Sequence, residues 1–355
     1  MAILISRDNP TRAYWTLSEK AKEIITLDWR RITLQRADDK KIKISKFVNI
    51  IFFNYKDMAD SSVKLRMNRD GHLSGFDDKK YNELCGIMYK IIEEKYLSSK
   101  GMIQKIRIHK PNIEYMRTCG EDYDSAGVYF RAVLEEYATL SVAERERIIF
   151  KDHFEAIEKA YINENLLTVE VDAYNGPESH SFYPIYPCKM SNDGSAYYAV
   201  GIEVTHDKGD EIIFTPYTVK VSQIDCILSD GRDRKHLSEQ LKEKFDKVRS
   251  DIDNDLIYAD ASFVRFKVIK AKVKLTENGL RKLYNISHNR PNIICRAEES
   301  DDEAFYLCEF KCTAEQLMFY FQDFGKEAVI VSPEEVRQKM TDYYLSAYNA
   351  YTACE

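Results

Sequence analysis

The sequence predicts a multi-domain α+β protein, and three patterns carry that prediction. Near the N-terminus a strand-like alternation gives way to helical periodicity at Ser18. Between residues 165 and 228 short β-branched and aromatic runs are separated by Gly, Asn and Asp turn signals, the rhythm of a small five-stranded barrel. From residue 263 onward the order strand, helix, strand, strand, helix, strand, helix reads as a βαββαβ layer with a tail helix. A chain of 355 residues has room for two or three such domains. The patterns divide it into 1–57, a mixed helical connector over 58–140, a barrel with a leading helix over 141–230, a linker helix over 231–262 and an α+β domain over 263–355.

In the first region Ala13, Trp15 and Leu17 alternate with Arg12, Tyr14 and Thr16, the period of a half-buried strand. The period then changes. Leu17, Ala21, Ile24 and Ile25 form a helical stripe, with Ser18 as N-cap and Glu19 in the first turn, where a carboxylate is favoured. After the charged loop "RADDKKIK", Ser45 is expected to cap a second helix, "KFVNIIFFNYK", apolar nearly all round. A lone strand leaves two open edges and a helix that apolar needs cover. A second copy meets both demands if strands pair antiparallel across a dimer and helices intertwine.

The connector is expected to hold an amphipathic helix over 77–97, with Tyr81, Leu84, Cys85, Met88, Ile91 and Ile92 as core, and a basic strand, "MIQKIRIHK", ended by Pro111. Ser141 and Glu144 form a capping box that opens one long helix to Tyr161. Strands follow as "NLLTVEVDAY", "HSFYPIYPCKM", "SAYYAVGIEVT", "DEIIF" and "YTVKVSQIDCIL". Residues 232–250 are charged and poorly apolar, hence the linker. The final helix is read with Ser332 as N-cap, Pro333 at its first position and Glu335 completing the box.

Apolar residues make up 44% and charged residues 31% of the chain, which predicts an ordered protein. No run approaches the roughly 18 apolar residues of a membrane span, and "MAILISRDNP" reads as neither signal nor anchor. Eight scattered cysteines without a CxxC suggest a reduced, cytoplasmic setting. Net charge is −6, yet residues 1–110 carry 23 Lys and Arg against 14 Asp and Glu, and the rest 29 against 44. Either a basic front meets phosphate or the asymmetry is chance. There is no GxxxxGK[ST], GxGxxG, GxSxG or metal-spaced ligand set, so a binding protein rather than an enzyme is expected, with no metal and no cofactor. The acid pairs Asp38-Asp39, Asp77-Asp78 and Asp301-Asp302 read as solvated turns, and His153 and His180 lack a nucleophile nearby in sequence.

Two stretches carry a family resemblance. "FGKEAVIVSPEEVRQKM", with Gly325, Val329, Val331, Pro333, Glu334, Glu335 and Arg337, resembles the C-terminal extension of bacterial WYL-domain proteins. Upstream, "FEAIEKAYINENLLTVEV", Pro187, "YYAVG" and "VKVSQI" follow the order and spacing of the WYL domain itself. The resemblance spans roughly residues 145–350. It implies an Sm-like β-barrel that takes nucleic acid or nucleotide ligands, and a C-terminal domain of ferredoxin-like βαββαβ order that dimerises. The naming triad is Tyr197-Tyr198-Ala199 here, and Gln223 stands where the family carries Arg. That change removes a planar bidentate phosphate ligand, and Lys220 offers only a point charge in its place.

The front resembles the ribbon-helix-helix domain of transcriptional regulators over about 45 residues. In that family strand residues, here Arg12, Tyr14 and Thr16, enter a DNA major groove, while the second helix start, here Ser45 and Lys46, holds a phosphate. The combination is similar to the accessory WYL proteins of type VI-D CRISPR systems. It implies a homodimer that binds single-stranded RNA and stimulates an RNA-guided ribonuclease. The alternative is a regulator that binds duplex operator DNA through its front and a nucleotide or nucleic-acid ligand through its barrel.

The residues themselves point to a barrel surface. Tyr183, Tyr186, Tyr197 and Tyr198 crowd beside Lys189, His206, Lys208 and Lys220. Adjacent Tyr197 and Tyr198 face opposite ways in a strand, so one faces out and one in. Exposed rings beside lysines suit unpaired bases, whereas rings packed on a flanking helix are simply core. The expected RNA-binding set is Tyr186, Lys189, Tyr197, Tyr198, His206, Lys208, Lys220 and Gln223. Two stacked bases contribute roughly 2–6 kcal/mol. Micromolar binding needs about 8, so phosphate contacts and two barrels per dimer are needed to close the gap.

Overall fold

The computed structural model describes residues 4–5, 12–34, 42–69, 83, 102–118, 126–172, 180–194, 196–286, 290–298 and 305–353. Apart from Glu83, the helix expected over 77–97 lies outside these residues, as do residues 36–41 of the charged loop and the acid pairs Asp38-Asp39, Asp77-Asp78 and Asp301-Asp302. The chain divides into two units, Met1–Lys151 with Asp172–Ser179, and Asp152–Val171 with His180–Glu355.

The first unit holds strands β1 (Leu4–Ile5) and β2 (Arg12–Leu17), helices α1 (Glu19–Leu34) and α2 (Ile44–Arg69), strand β3 (Met102–Arg107), and helices α3 (Lys110–Thr118), α4 (Ala126–Tyr137) and α5 (Val142–Ile149). The front strand is not alone. β2 is the middle strand of an antiparallel sheet in the order β1-β2-β3. It pairs with β1 at Tyr14 and Ala13 and with β3 along its whole length, from Arg12↔Arg107 to Leu17↔Met102. The sequence argument for a strand completed by a second copy therefore fails, because a partner strand some 90 residues downstream supplies the edge.

The apolar second helix is likewise covered from within its own unit. Phe47, Val48, Ile51, Phe52 and Tyr55 of α2 are buried with Phe130, Val133, Leu134 and Tyr137 of α4, and the rings of Phe52 and Phe130 lie 4.5 Å apart. Residues of the front helix and of the connector thus share one core. Helix α1 starts as expected, the Ala21 amide donating to Ser18 Oγ at 3.2 Å. Ser18 in turn donates its own amide and hydroxyl to the Glu135 carboxylate, each at 2.6 Å. Helix α2 begins at Ile44, so Ser45 lies inside its first turn and does not cap it. Pro111 is the second residue of α3, where its missing N–H costs nothing. The box at Ser141 and Glu144 forms, the Glu144 amide donating to Ser141 Oγ at 3.3 Å and the Ser141 amide to the Glu144 carboxylate at 2.8 Å. The long helix expected after it breaks at Phe150.

The second unit begins with α6 (Lys151–Asn163) and a sheet of β4 (Asn165–Asp172), β5 (His180–Asn192), β6 (Tyr197–His206), β7 (Ile212–Lys220) and β8 (Ile224–Asp233). The strand order is β7-β6-β5-β4-β8. Among the described residues no ladder joins β7 to β8, so the expected closed barrel is an open sheet with those two strands as its edges. Pro216, which separates the runs read as the two strands "DEIIF" and "YTVKVSQIDCIL", lies inside the single strand β7 opposite Ile202. An edge strand tolerates a residue without N–H, and the actual break is the 3-10 turn Val221–Gln223.

The charged segment after the sheet is no linker. Helix α7 (Glu239–Asp255) presses Phe245 and Ile252 onto Tyr186, Cys188, Val200, Ile202 and Phe214. Leu241 and Val248 pack beside them, so a narrow apolar stripe suffices for the contact although the segment is mostly charged. Strand β5 bulges at Cys188, where the register shifts between Pro187↔Gly201 and Lys189↔Val200. The bulge brings backbone close: a Cβ on Gly201 would lie 2.5 Å from the Tyr186 carbonyl oxygen. Gly201→Ala is therefore expected to lower stability by about 1–3 kcal/mol, read as a fall in the urea midpoint. An unchanged midpoint would show that the bulge yields freely. Burial pushes the Cys188 thiol up to about 11, which marks it as inert packing.

The remaining elements are β9 (Val268–Leu275), α8 (Glu277–Asn285), β10 (Ile293–Glu298), β11 (Tyr306–Thr313), α9 (Ala314–Phe321), β12 (Ala328–Ser332) and α10 (Glu334–Thr352). The order along the chain is the one expected, and the sheet runs β10-β11-β9-β12 with every pair antiparallel. Val273, Leu275, Cys308, Phe310, Cys312 and Ile330 face Leu280, Leu283, Leu317, Phe321, Val336 and Met340. Ser332 is the last residue of β12. Pro333 stands at the N-cap without a side-chain hydrogen bond, so the predicted Ser332 cap is displaced by one residue. The acidic first turn of Glu334 and Glu335 favours the helix start in its place.

Candidate nucleic-acid interface

Strand β6 is the axis of the expected surface, and its register sorts the candidates. Tyr198 lies opposite Ser191 on one side and Lys220 on the other. Tyr197 lies opposite Asn192, and Gln223 is exposed in the turn just after Lys220. Lys189, also exposed, sits three residues before Asn192 on the same strand. Tyr197, Tyr198, Lys189, Lys220 and Gln223 thus gather at one end of the sheet.

His206 and Lys208 do not join them. His206 is the last residue of β6, opposite Ile212, and eight residues at ~3.3 Å each put it roughly 26 Å from Tyr198. Lys208 lies in the turn beyond, where the Asp207 carboxylate accepts the amides of Gly209 at 2.8 Å and Glu211 at 2.9 Å. Asp207, Asp210 and Glu211 surround the two bases with acid, a poor setting for phosphate.

Tyr186 is a core residue and not a platform. It is 5% exposed, and its ring meets Phe245 edge-on at 5.4 Å. Adjacent Tyr197 and Tyr198 do face opposite ways, but both are half-buried. Tyr197 packs edge-on against Phe154 of α6 at 4.9 Å, while Tyr198 packs onto the cluster under α7. Each ring is therefore packed by the fold and only partly exposed.

In the first unit, the candidates Arg12, Tyr14 and Thr16 lie on β2 opposite Arg107, Lys105 and Ile103 of β3. The register sets Arg12 directly opposite Arg107, with Lys105 two positions along the same strand. Ser45 is half-buried and Lys46 exposed in the first turn of α2. The Ser45 carbonyl accepts from the Asn49 side-chain Nδ2 at 2.6 Å.

A second constellation escaped the sequence reading. Counting outward from the β6–β7 hairpin, Glu203 pairs with Thr215 and Gly201 with Tyr217, while Ile185 of β5 pairs with Glu203 from the other side. Glu203, Thr215, Tyr217, Ile185 and Tyr183 therefore share one face. The rings of Tyr183 and Tyr217 meet there at 4.9 Å and 30°. Burial raises the Tyr217 hydroxyl well above its ordinary value, with Tyr183 and Glu203 adding to the rise and Arg265 opposing it. Burial also raises the Glu203 carboxyl, and Arg265 pulls it back. The Asp207–Gly209 turn was the signal available in sequence, because it fixes this register.

Among the described residues no group of three or more His, Cys, Asp or Glu could hold a metal ion, and no helix is long and apolar enough to cross a membrane. Cys308 and Cys312 lie in the C-terminal core, and burial pushes Cys312 up to about 12.

No protein-family model matches the chain, and no curated protein matches it. Among solved structures, one described as the crystal structure of a CRISPR Cas-related protein is 20% identical, with a TM-score of 0.72 over 98% of this chain and 96% of that one. Proteasome accessory factor B/C of Arthrobacter aurescens is 13% identical with a TM-score of 0.24, covering 67% of this chain and 35% of its own. The first likeness extends from end to end, and it establishes that this chain has the fold of the CRISPR Cas-related protein.

Proposed function

We propose that the chain is a homodimeric accessory protein that binds single-stranded RNA and supports a CRISPR RNA-guided ribonuclease. The grouping of Tyr197, Tyr198, Lys189, Lys220 and Gln223 at one end of an antiparallel sheet carries this reading. The fold shared with a protein described as CRISPR Cas-related supports the setting. On this reading the five-stranded sheet is an open Sm-like WYL domain, and the β10-β11-β9-β12 sheet is a ferredoxin-like dimerisation domain. Its edge strand exposes Val329 and Val331, and α10 exposes Leu345, Tyr348 and Tyr351, an apolar surface fit for a second copy. Two half-buried rings and a few cations give marginal affinity per protomer, so pairing two sheets on one strand supplies the gain.

Operator binding by a two-chain ribbon loses its premise, since β2 already pairs on both sides. Duplex DNA therefore serves as the contrasting probe. Fluorescence anisotropy at two salt concentrations is expected to show tighter binding of single-stranded RNA than of matched duplex DNA. Lys220→Ala should weaken RNA binding several-fold and reduce the salt slope by about 1. Lys208→Ala, at the acidic far end of β6, should change little. Preference for the duplex, or equal effects of the two substitutions, would sink the reading. Sedimentation equilibrium should return twice 41.5 kDa.

A further inference from the structure

We propose that Glu203, framed by Tyr183, Tyr217 and Arg265, forms a pocket that selects guanine in a single-stranded RNA. The inference rests on the RNA-binding reading above and adds base identity, at a place on the same sheet distinct from the Tyr198–Lys220 end. Four observations converge on it. The Tyr183 and Tyr217 rings meet at 4.9 Å on the face that carries Glu203. Tyr217 is buried and Tyr183 half-buried, so one ring is anchored and the other partly accessible. Among the described residues no hydrogen bond or ion pair holds the half-buried Glu203 carboxylate, whose charge is opposed by burial and supported by Arg265. Arg265 itself is exposed, with its guanidinium 4.8 Å from the Phe266 ring.

The chemistry of the four bases decides which one fits. A carboxylate has two acceptor oxygens and no donor. Guanine offers two adjacent donors, N1–H and N2–H, on its Watson–Crick edge, and so satisfies both oxygens at once. Adenine and cytosine each place a ring-nitrogen lone pair beside a single amino donor, which sets the second carboxylate oxygen against a lone pair. Uracil places its one N–H between two carbonyls and repels the carboxylate on both sides. Tyr183 would lie against the base face, and the Arg265 guanidinium would take the adjoining phosphate.

The full-length protein should be titrated with four fluorescent twelve-residue oligouridylates that differ only in the sixth base. The guanosine version is expected to bind about tenfold more tightly than the other three, the scale of one bidentate contact. Glu203→Gln replaces one acceptor by a donor, and should erase that advantage by weakening the guanosine strand while relieving the repulsion of uracil. Equal binding of all four strands by the native protein overturns the proposal, as does a guanine preference that survives in Glu203→Gln. Failure to bind any of the four overturns the RNA-binding reading itself, and the guanine pocket falls with it.

Discussion

Replacing Asp28 with alanine is expected to destabilise the first unit by about 3–5 kcal/mol, the cost of stranding a buried charge. Asp28 is 3% exposed. Its carboxylate accepts the Tyr137 hydroxyl at 2.8 Å and Arg145 Nε at 2.7 Å, with Arg31 at 3.8 Å. Arg145 and Tyr137 are themselves buried, so neither recovers water when the carboxylate is removed. The Tyr137 hydroxyl is held far above its ordinary value by burial first, and then by the adjacent Asp28 charge, so it remains a donor. Both tryptophans, Trp15 and Trp29, belong to this unit, and their fluorescence follows its unfolding. At ~2–4 °C per kcal/mol the midpoint should fall by roughly 6–20 °C. Pairing Asp28→Leu with Arg145→Met should recover only part of the loss, because apolar packing replaces the ion pair at little cost while the buried Tyr137 hydroxyl stays without its acceptor. A small loss in Asp28→Ala, or no recovery in the double variant, would show that the network contributes little.

That network was not legible in the sequence, and the reason is general to this chain. Local signals read well: the alternation in β2, the Ser18 cap, the Ser141 box, the turns at Asp193 and Asp207, and the strand and helix order after residue 263 all follow from neighbours within a few positions. The errors came where a distant segment completes an element. β3 supplies the edge of β2, α4 covers α2, and Glu135 holds Ser18 across 117 positions of sequence. Without those partners the front looked incomplete and suggested a second copy.

The candidate surface divides along the same line. Strand parity correctly sent Tyr197 and Tyr198 to opposite faces. Parity could not show that Phe245, 59 positions beyond Tyr186, buries that ring. Nor could it show that one strand's length separates His206 from Tyr198, although the Asp207 turn held the register that reveals it. The same turn places Glu203 beside Thr215, so the second constellation was within reach of a careful count.

Gly279→Ala tests the C-terminal domain, where two opposed effects can be weighed in advance. Gly279 is the third residue of α8, and alanine there gains up to about 1 kcal/mol of helix propensity. Against this, a Cβ would lie 2.2 Å from the Glu327 carbonyl oxygen, a backbone atom that cannot rotate aside. That oxygen accepts the Thr276 amide at 3.1 Å, and Thr276 Oγ1 bonds the Glu327 side chain and accepts the Gly279 amide at 3.0 Å. Relieving the overlap means lifting α8 from the segment before β12, which breaks the Thr276 amide bond and loosens Leu280 and Leu283 in the core. The lost bond costs about 1–3 kcal/mol and the overpacking a similar amount. Destabilisation wins, with a net loss of about 2–4 kcal/mol. Hydrogen exchange should locate the damage, with amides of β9 and β12 losing protection while those of the first unit keep theirs. If this domain joins two copies, the variant should also dissociate at lower dilution than the native protein. A Gly279→Ala protein more stable than the parent would mean that helix propensity dominates, and that the close approach of α8 to Glu327 does not exist in solution.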